Sequence, residues 1–326
     1  MRRAVVLGGG GHFGAALCGG LLERGWNVTA VTRTGGRRAG LQGLSVKRVI
    51  CDDGATGAMR HLVRGHELII DAAAPYALDL HDGRQSHSQR LAGAKDRMAS
   101  LIFAARANGS VLVYIGSFLT RYLMSEEYDR RLRIISASHP YFRMKLELER
   151  SAKKAANRGD PIIIVNPTSL LGPGNLRIVE HCFVASVLHG KMPASFPDII
   201  NVMDVRDAAE ATLRTLDAGI FGMPIWLSGH NISVHDLTEM IAKLGQVECP
   251  PRWRALAMGA AVLYALENGM SVLGRDSRFP SLPVLLTLAS RAVDQSSCQR
   301  ALGVDLRPLE TTIRDEIGWY RSRDLT

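Results

Sequence analysis

The sequence predicts an α/β fold built on a doubly wound parallel sheet, with a smaller C-terminal domain interleaved with it. Apolar runs of strand length alternate with longer segments whose apolar residues recur at helical spacing, an order typical of parallel sheets covered by helices. A stretch of glycines joins the first apolar run to the first helical segment. The length of 326 residues is sufficient for a full α/β domain and a second unit.

Six apolar runs in the first half of the chain predict the strands of this sheet. The runs are short and rich in apolar residues, as expected for parallel strands that are buried on both faces. They are Arg3–Leu7, Val28–Thr32, Val46–Ile50, Leu68–Ile70, Val111–Ile115 and Ile162–Val165. Two further sheet-like runs, Ile199–Val202 and Pro224–Leu227, follow later in the chain.

The pattern changes at Pro167, where loops and helices replace the regular alternation. We therefore expect residues 1–166, together with about 199–228, to form the larger domain. Residues 167–198 and 229–326 are expected to form the smaller domain. No low-complexity linker separates the two, so the domains should be interleaved rather than strung together.

Charge and composition exclude several classes of protein. The net charge of +9 comes from basic residues spread along the chain without interleaved aromatic residues, which argues against a nucleic-acid partner. The five cysteines are scattered and form no C-x-x-C pair, so we expect neither a disulfide framework nor a zinc site, and a reducing cytoplasm fits best. The histidines show no metal-binding spacing, so no metal is expected.

The most apolar segment of the C-terminal half is Trp253–Leu273. It carries Arg254, Glu267 and Asn268, which favour an amphipathic helix packed on the protein over a membrane-spanning one. The N-terminal apolar run ends at the glycines and is too short for the core of a signal peptide. We therefore expect no stable membrane insertion.

The glycine stretch from Gly8 to Gly14 has the spacing of a dinucleotide-binding turn. Its glycines satisfy both G-x-G-x-x-G, at positions 9, 11 and 14, and G-x-x-G-x-x-G, at positions 8, 11 and 14. Such spacing lets backbone amides and a helix N-terminus approach a pyrophosphate. His12 lies at this N-terminus, where its side chain either contacts the pyrophosphate or faces solvent.

The end of the second predicted strand indicates which dinucleotide binds. An NAD site usually has Asp or Glu here to bind the ribose 2′-hydroxyl, but this strand ends in Thr32 and Arg33. Arginine pairs with a 2′-phosphate, and Arg37 and Arg38 follow closely. The sequence therefore favours NADP(H) over NAD(H).

A tyrosine and a lysine with helical i, i+4 spacing form the strongest catalytic signal. Tyr141 and Lys145 should lie on one face of a helix, where the ammonium stabilises the phenolate and lowers the tyrosine pKa toward the working range. Ser117 follows the fifth predicted strand, at the edge of the sheet where open α/β folds place their ligands. These three residues are the candidate catalytic set.

Together, these residues resemble the extended short-chain dehydrogenase/reductase family, which contains nucleotide-sugar epimerases, dehydratases and carbonyl reductases. The resemblance covers nearly the whole chain and is strongest to bacterial members that are similar to dihydroflavonol reductases and to the hopanoid-associated sugar epimerases. It implies a Rossmann fold, the catalytic set Ser117, Tyr141 and Lys145, and a homodimer formed through helices beside the catalytic one. Glu149 corresponds to a glutamate that the family often has on this helix.

The resemblance also implies a set of cofactor-binding residues. They lie in the glycine turn, after the second, third and fourth strands, and in the proline-bearing stretch after the sixth. They are Gly8, Gly11, His12, Phe13, Gly14, Arg33, Asp52, Ala73, Ala74 and Pro167. The loop departs from the usual family pattern, since Leu7 and Gly10 replace its threonines, and the family's asparagine on the helix before strand five is replaced by Ala94.

The leading hypothesis is an NADPH-dependent reductase of a ketone or aldehyde, with Tyr141 as the proton donor. An apolar substrate site is expected from Tyr76, Phe118, Phe183 and Met192. One alternative is a nucleotide-sugar epimerase or dehydratase that recycles bound NAD(P). Another is a non-catalytic NADP-binding regulator, although that alternative predicts erosion of the catalytic set, which is intact.

Overall fold

A computed structural model describes most of the chain. The residues described are 2–33, 39–51, 56–73, 87–124, 140–175, 182–192, 194–252, 292–293 and 302–323. The predicted helix at 253–273 lies outside these residues.

Seven parallel strands form the main sheet in the order β3-β2-β1-β4-β5-β6-β9. This order confirms the predicted doubly wound sheet, because the chain first runs outward from β1 to β3 and then returns past β1 toward the other edge. The strands are β1 (Arg3–Leu7), β2 (Asn27–Thr32), β3 (Lys47–Ile50), β4 (Leu68–Asp71), β5 (Val111–Ile115), β6 (Ile162–Pro167) and β9 (Pro224–Leu227).

Helices cover both faces of this sheet and also build the smaller unit. The α-helices of the described residues are α1 (His12–Glu23), α2 (Thr56–Val63), α3 (His87–Asn108), α4 (Leu119–Met124), α5 (Pro140–Ala156), α6 (Phe183–Leu188), α7 (Val205–Asp217), α8 (Val234–Gly245) and α9 (Leu309–Arg321).

Alternating side chains of the strands bind the helices to the two faces. In β1, Val5 and Leu7 belong to the apolar cluster formed with α2, α3 and α5. Ala4 and Val6 belong to a second cluster, formed with α1 and α7. The central strands β1, β4, β5 and β6 are buried on both faces and are rich in apolar residues, and this is why the sequence identified them readily. The edge strand β3 is largely exposed and carries Lys47 and Arg48.

A second, three-stranded sheet has the order β10-β8-β7, with β7 at Ser169–Leu171, β8 at Ile199–Asp204 and β10 at His230–Ser233. The predicted larger domain included residues 199–228 as one piece, but the strand Ile199–Asp204 pairs in the small sheet. The following helix α7 and strand β9 pack with the main sheet, and Met203 of β8 joins the apolar cluster on that face. The division of the chain into two domains itself stays a prediction.

The C-terminal helix α9 is joined to the loop after β7 by a buried polar cluster. Glu316 is fully buried, and its Oε2 accepts a 2.6 Å hydrogen bond from the Gly172 amide. The hydroxyl of Tyr320 donates to the Asn175 carbonyl at 2.9 Å and lies 2.8 Å from the Cys182 sulfur. We call Glu316, Tyr320, Cys182 and Asn175 the Glu316 cluster.

Burial raises the pKa of Glu316 to about 8, and the nearby Asp204 carboxylate acts in the same direction. Hydrogen bonds from the Gly172 amide, Tyr320 and Cys182 act against this shift but do not cancel it. Glu316 is therefore largely protonated at neutral pH.

In the described part of the chain, no helix combines the length and the apolar character needed to cross a membrane.

The buried carboxyl group predicts a pH-dependent stability. The folded protein keeps this proton where the unfolded chain, with the ordinary pKa of 4.5, loses it. The stabilising contribution is complete below pH 4.5 and is lost as the pH rises through about 8. In urea unfolding between about pH 5 and about pH 9, we expect Glu316→Gln, which mimics the protonated acid, to flatten the decline in unfolding free energy.

Glu310→Gln is the matched control, because Glu310 is exposed on the same helix. Its stability should follow the wild-type pH profile. Parallel profiles for wild type and Glu316→Gln would contradict the assignment.

Candidate functional site

The carboxyl ends of β1, β2 and β4 meet at the first glycine turn. The Gly9 amide donates to the Val31 carbonyl at 3.1 Å, which extends the β1–β2 pairing into the turn. Gly8 has φ +74°, and a Cβ there would lie 2.7 Å from the Ala72 carbonyl oxygen and 2.9 Å from the Ala73 Cα. Glycine is therefore required at position 8, and the structure brings the predicted residues Gly8 and Ala73 together.

The same turn leads directly into the N-terminus of α1. A Cβ at Gly14 would lie 2.2 Å from the Gly8 carbonyl oxygen, so only glycine allows the helix to pack this closely on the turn. Gly11 precedes the first helical residue, and no acidic residue lies in the first turn. The backbone amides of the first helical turn and the helix dipole therefore make this end favourable for a phosphate group. Phe13 is half-buried against the apolar cluster on the α1 face.

The His12 side chain does not face solvent. It is buried, and its Nε2 lies 3.0 Å from the Gly172 carbonyl oxygen. Its described contact is therefore with the loop after β7 rather than with solvent. A contact of His12 with the pyrophosphate stays a prediction.

Arg33 directly follows β2 and is exposed, as a residue that binds an incoming 2′-phosphate must be. The loop that carries Arg37 and Arg38 lies outside the described residues. So do three other predicted site residues: Asp52, Ala74 and Tyr76.

The candidate catalytic lysine reaches from α5 to the end of β5. Lys145 is 7% exposed, and its Nζ donates to the Gly116 carbonyl at 3.1 Å and to the Ile115 carbonyl at 3.5 Å. Its Nζ lies 6.0 Å from the centroid of the Tyr141 ring, which is also buried. The fold thus places Tyr141 and Lys145 beside the backbone that leads into Ser117.

Ser117 is held by an asparagine that the sequence analysis did not identify. Its amide donates to Asn166 Oδ1 at 3.0 Å, and Asn166 Nδ2 donates to Glu149 Oε2 at 3.1 Å. Asn166 is 0% exposed, and Glu149 also pairs with Lys153 at 2.7 Å. A polar residue at the end of the apolar run Ile162–Val165 was the available signal, because a buried amide must find partners.

Four further predicted residues lie either beside Ser117 or in the apolar cluster around the small sheet. The Pro167 carbonyl accepts the Phe118 amide at 3.0 Å, which continues the β5–β6 pairing past the strand ends. Phe118 is buried and faces the Arg121 guanidinium. Phe183 and Met192 pack against the apolar cluster of the smaller unit, and their role in binding substrate stays a prediction.

A buried ion pair at the end of β4 was also missed. Asp71 and Arg97 are 1% and 2% exposed, with 3.5 Å between Asp71 Oδ2 and Arg97 Nη2. Asp71 Oδ1 also accepts the Ala73 amide at 3.2 Å, so the pair holds the strand end beside the glycine turn. Burial, with a further contribution from Asp71, raises the pKa of Tyr114 well above its ordinary value. Tyr114 therefore stays a neutral phenol.

The packing of Asn166 predicts that Gly116 tolerates no side chain. A Cβ at Gly116 would lie 1.9 Å from Asn166 Oδ1, so Gly116→Ala must displace this amide and leave the Ser117 N–H without its acceptor. We expect a loss of about 1–3 kcal/mol in the free energy of unfolding, measured in urea. Asn166→Ala removes the clashing group, so the double variant should be less destabilised than the two single effects add up to.

Gly318→Ala is the control for this change. Gly318 lies within α9, and a Cβ there meets nothing within 4 Å, so alanine should be neutral or stabilise the protein by up to about 1 kcal/mol. Strict additivity of Gly116→Ala and Asn166→Ala would show that the two residues do not contact each other.

Comparison with known proteins identifies the family of this chain. Residues 4–222 match the family described as the NAD dependent epimerase/dehydratase family. Sterol demethylase protein B of Methylococcus capsulatus is 26% identical over 98% of this chain and 99% of its own length. A protein of Synechocystis sp. that is provisionally named as a dihydroflavonol 4-reductase is 25% identical over 97% of this chain and 94% of its own.

Among solved structures, a nucleoside-diphosphate-sugar epimerase from Pseudomonas aeruginosa has the same fold. Its TM-score is 0.74 at 20% identity, with 99% of each chain covered. The family match extends over well more than half of the sequence and includes the glycine turn, Ser117, Tyr141 and Lys145. The chain therefore belongs to the NAD-dependent epimerase/dehydratase family.

Proposed function

We propose that this protein reduces a ketone or aldehyde to an alcohol with NADPH. One observation carries the proposal: Lys145 donates to the carbonyl of Gly116, directly before Ser117, and lies beside the Tyr141 ring. A phenol, an ammonium and a hydroxyl thus lie at the carboxyl edge of the sheet, where α/β folds bind their ligands. This combination suits proton transfer to an oxygen that becomes negatively charged.

The residues of the first turn fit a dinucleotide. Gly8 and Gly14 leave no room for a Cβ, which keeps the backbone open to close approach at the N-terminus of α1. Gly11 and the first turn of α1 would hold the pyrophosphate, and Arg33 would pair with the 2′-phosphate. When bound, the nicotinamide supplies the hydride.

In the proposed reaction, each catalytic side chain acts on the carbonyl oxygen of the substrate. Tyr141 donates its proton to this oxygen as negative charge develops on it, and Ser117 donates a hydrogen bond to the same atom. The Lys145 ammonium favours the phenolate that Tyr141 becomes. Asn166 and Glu149 keep the Ser117 backbone in place while this charge develops.

The relative named as a dihydroflavonol 4-reductase supports a reductase, and the buried Phe118 beside Ser117 supports an apolar substrate. A second candidate, a nucleotide-sugar epimerase or dehydratase, is favoured by the family description and by the Pseudomonas aeruginosa structure. The strand end at Thr32 and Arg33 lacks the acidic residue expected of an NAD site, which argues for the NADPH-linked reductase.

Purified protein with a panel of ketones and aldehydes distinguishes the two candidates. A reductase consumes added NADPH in stoichiometric amounts, which is followed by nicotinamide absorbance. A cofactor that stays bound to the protein and shows no net oxidation would instead support the epimerase or dehydratase.

The proposed role of Tyr141 predicts a specific kinetic defect. Tyr141→Phe removes the donated proton but keeps the ring, so kcat should fall by about 10²- to 10⁴-fold, while the dissociation constant for NADPH stays within about twofold. Ser151→Ala removes a hydroxyl from the same helix, where it donates to the Glu147 carbonyl, and should leave both values unchanged. A fully active Tyr141→Phe enzyme would exclude Tyr141 as the acid.

The proposed role of Arg33 predicts a change in cofactor preference. Arg33→Ala should weaken NADPH binding by about 10-fold or more and NADH binding by less than about twofold, because only NADPH carries the 2′-phosphate. Arg64→Ala removes an exposed arginine just before β4, at the amino-terminal ends of the strands, and should change the affinity for neither cofactor. Titration of each cofactor, followed by protein fluorescence, measures the two affinities. Equal losses of affinity for NADPH and NADH in Arg33→Ala would refute the assignment.

A further inference from the structure

The backbone of Gly172 is held from two directions by residues far apart in the sequence. Its amide donates to Glu316 Oε2 in α9 at 2.6 Å, and its carbonyl oxygen lies 3.0 Å from His12 Nε2 at the start of α1. Since a carbonyl only accepts, Nε2 must carry the hydrogen in this pair. One residue of the loop after β7 thus joins the glycine turn to the C-terminal helix.

The loop around Gly172 depends on backbone conformations that favour glycine. Gly172 and Gly174 have φ values of +117° and +98°. A Cβ at Gly174 would lie 3.8 Å from His12 Cδ2, and a Cβ at Gly40 would lie 3.5 Å from the Gly10 carbonyl oxygen and 3.9 Å from that of Gly174. Three glycine-containing segments therefore converge at the N-terminus of α1.

The far end of this connection is held by further hydrogen bonds. Glu316 Oε1 lies 3.2 Å from the Tyr320 hydroxyl, which donates its hydrogen to the Asn175 carbonyl, three residues after Gly172. Asn175 Nδ2 lies 3.3 Å from the Cys182 sulfur. Both ends of the segment 172–175 are thus bound to the Glu316 cluster, whereas its contact with the glycine turn is made by the side chain of His12.

We infer that His12 and Glu316 are positioning residues, which hold Gly172 between them and thereby couple cofactor binding at the glycine turn to the order of the C-terminal helix. The inference rests on the proposed dinucleotide site at α1. Coupling of this kind is reciprocal. A cofactor that orders the turn also orders α9, and loss of either hydrogen bond lowers the affinity for the cofactor. His12 acts here through Gly172 rather than by touching the substrate.

Hydrogen exchange of the whole protein, with and without saturating NADPH or NADH, tests the coupling. His12→Phe keeps a ring but removes the donor, whereas His12→Gln places an amide N–H near the Nε2 position and should restore the contact. In the unliganded protein, His12→Phe and Glu316→Leu should speed exchange about 10-fold in peptides covering residues 169–175. Glu310→Leu, an exposed change on α9, should not.

With cofactor, exchange in residues 309–321 should slow in the wild type and in His12→Gln but not in His12→Phe. The dissociation constant of the cofactor should rise about 5- to 20-fold in His12→Phe, and the losses in His12→Phe and Glu316→Leu should not add in the double variant. If His12 and Glu316 had only a structural role, the variants would be less stable, but cofactor binding would still slow hydrogen exchange in α9.

The inference is overturned if His12→Phe leaves the exchange of residues 169–175 and 309–321 and the cofactor affinity as in the wild type. If the wild type binds neither NADPH nor NADH, the proposed function fails. The unliganded comparison then decides the positioning role: faster exchange at residues 169–175 in His12→Phe supports it, and unchanged exchange refutes it. If His12→Phe does not fold, Glu316→Leu against Glu316→Gln, which keeps the acceptor, gives the same comparison.

Discussion

The candidate site depends on how the backbone at Gly116 and Ser117 is fixed. Lys145 donates a hydrogen bond to the Gly116 carbonyl. Asn166 accepts a hydrogen bond from the Ser117 amide and donates one to Glu149. These groups are buried, so each hydrogen bond lost would leave a polar atom without water to replace its partner. The position of Ser117 is therefore determined by groups on α5 and β6 together with the loop itself.

This arrangement explains why Tyr141, Lys145 and Glu149 follow one another at intervals of four along α5. The spacing puts all three on the face that packs on the sheet. Tyr141 lies nearest the carboxyl ends of the strands and beside Lys145. Lys145 donates to the backbone at the end of β5, and Glu149 accepts from Asn166 in β6. One helix face thus carries both the proposed acid, Tyr141, and part of the support for Ser117.

A steric constraint complements these polar contacts at the other half of the site. The carbonyl of Gly8 lies where a side chain at Gly14 would be, and the Ala72 carbonyl lies where one at Gly8 would be. The turn, β4 and α1 can approach one another only because these side chains are absent. The buried pair of Asp71 and Arg97 then holds the end of β4 against this turn.

The sequence by itself determined the fold class, the strands of the main sheet, the glycine turn and the set Ser117, Tyr141 and Lys145. These follow from local regularities, because continuous apolar runs mark buried parallel strands and an i, i+4 spacing fixes a helix face. The tertiary structure alone decided that Ile199–Asp204 pairs in the small sheet and that His12 binds Gly172.

The partners of Asn166 and Glu316 were likewise decided only by the tertiary structure. Asn166 contacts residues 17 and 49 positions away, and Glu316 contacts one 144 positions away. No local pattern encodes such pairings, since they arise from packing elements that are distant in the chain. For Asn166 the sequence did contain a signal, a polar residue at the end of an apolar run, which indicates a buried hydrogen bond without naming its partner.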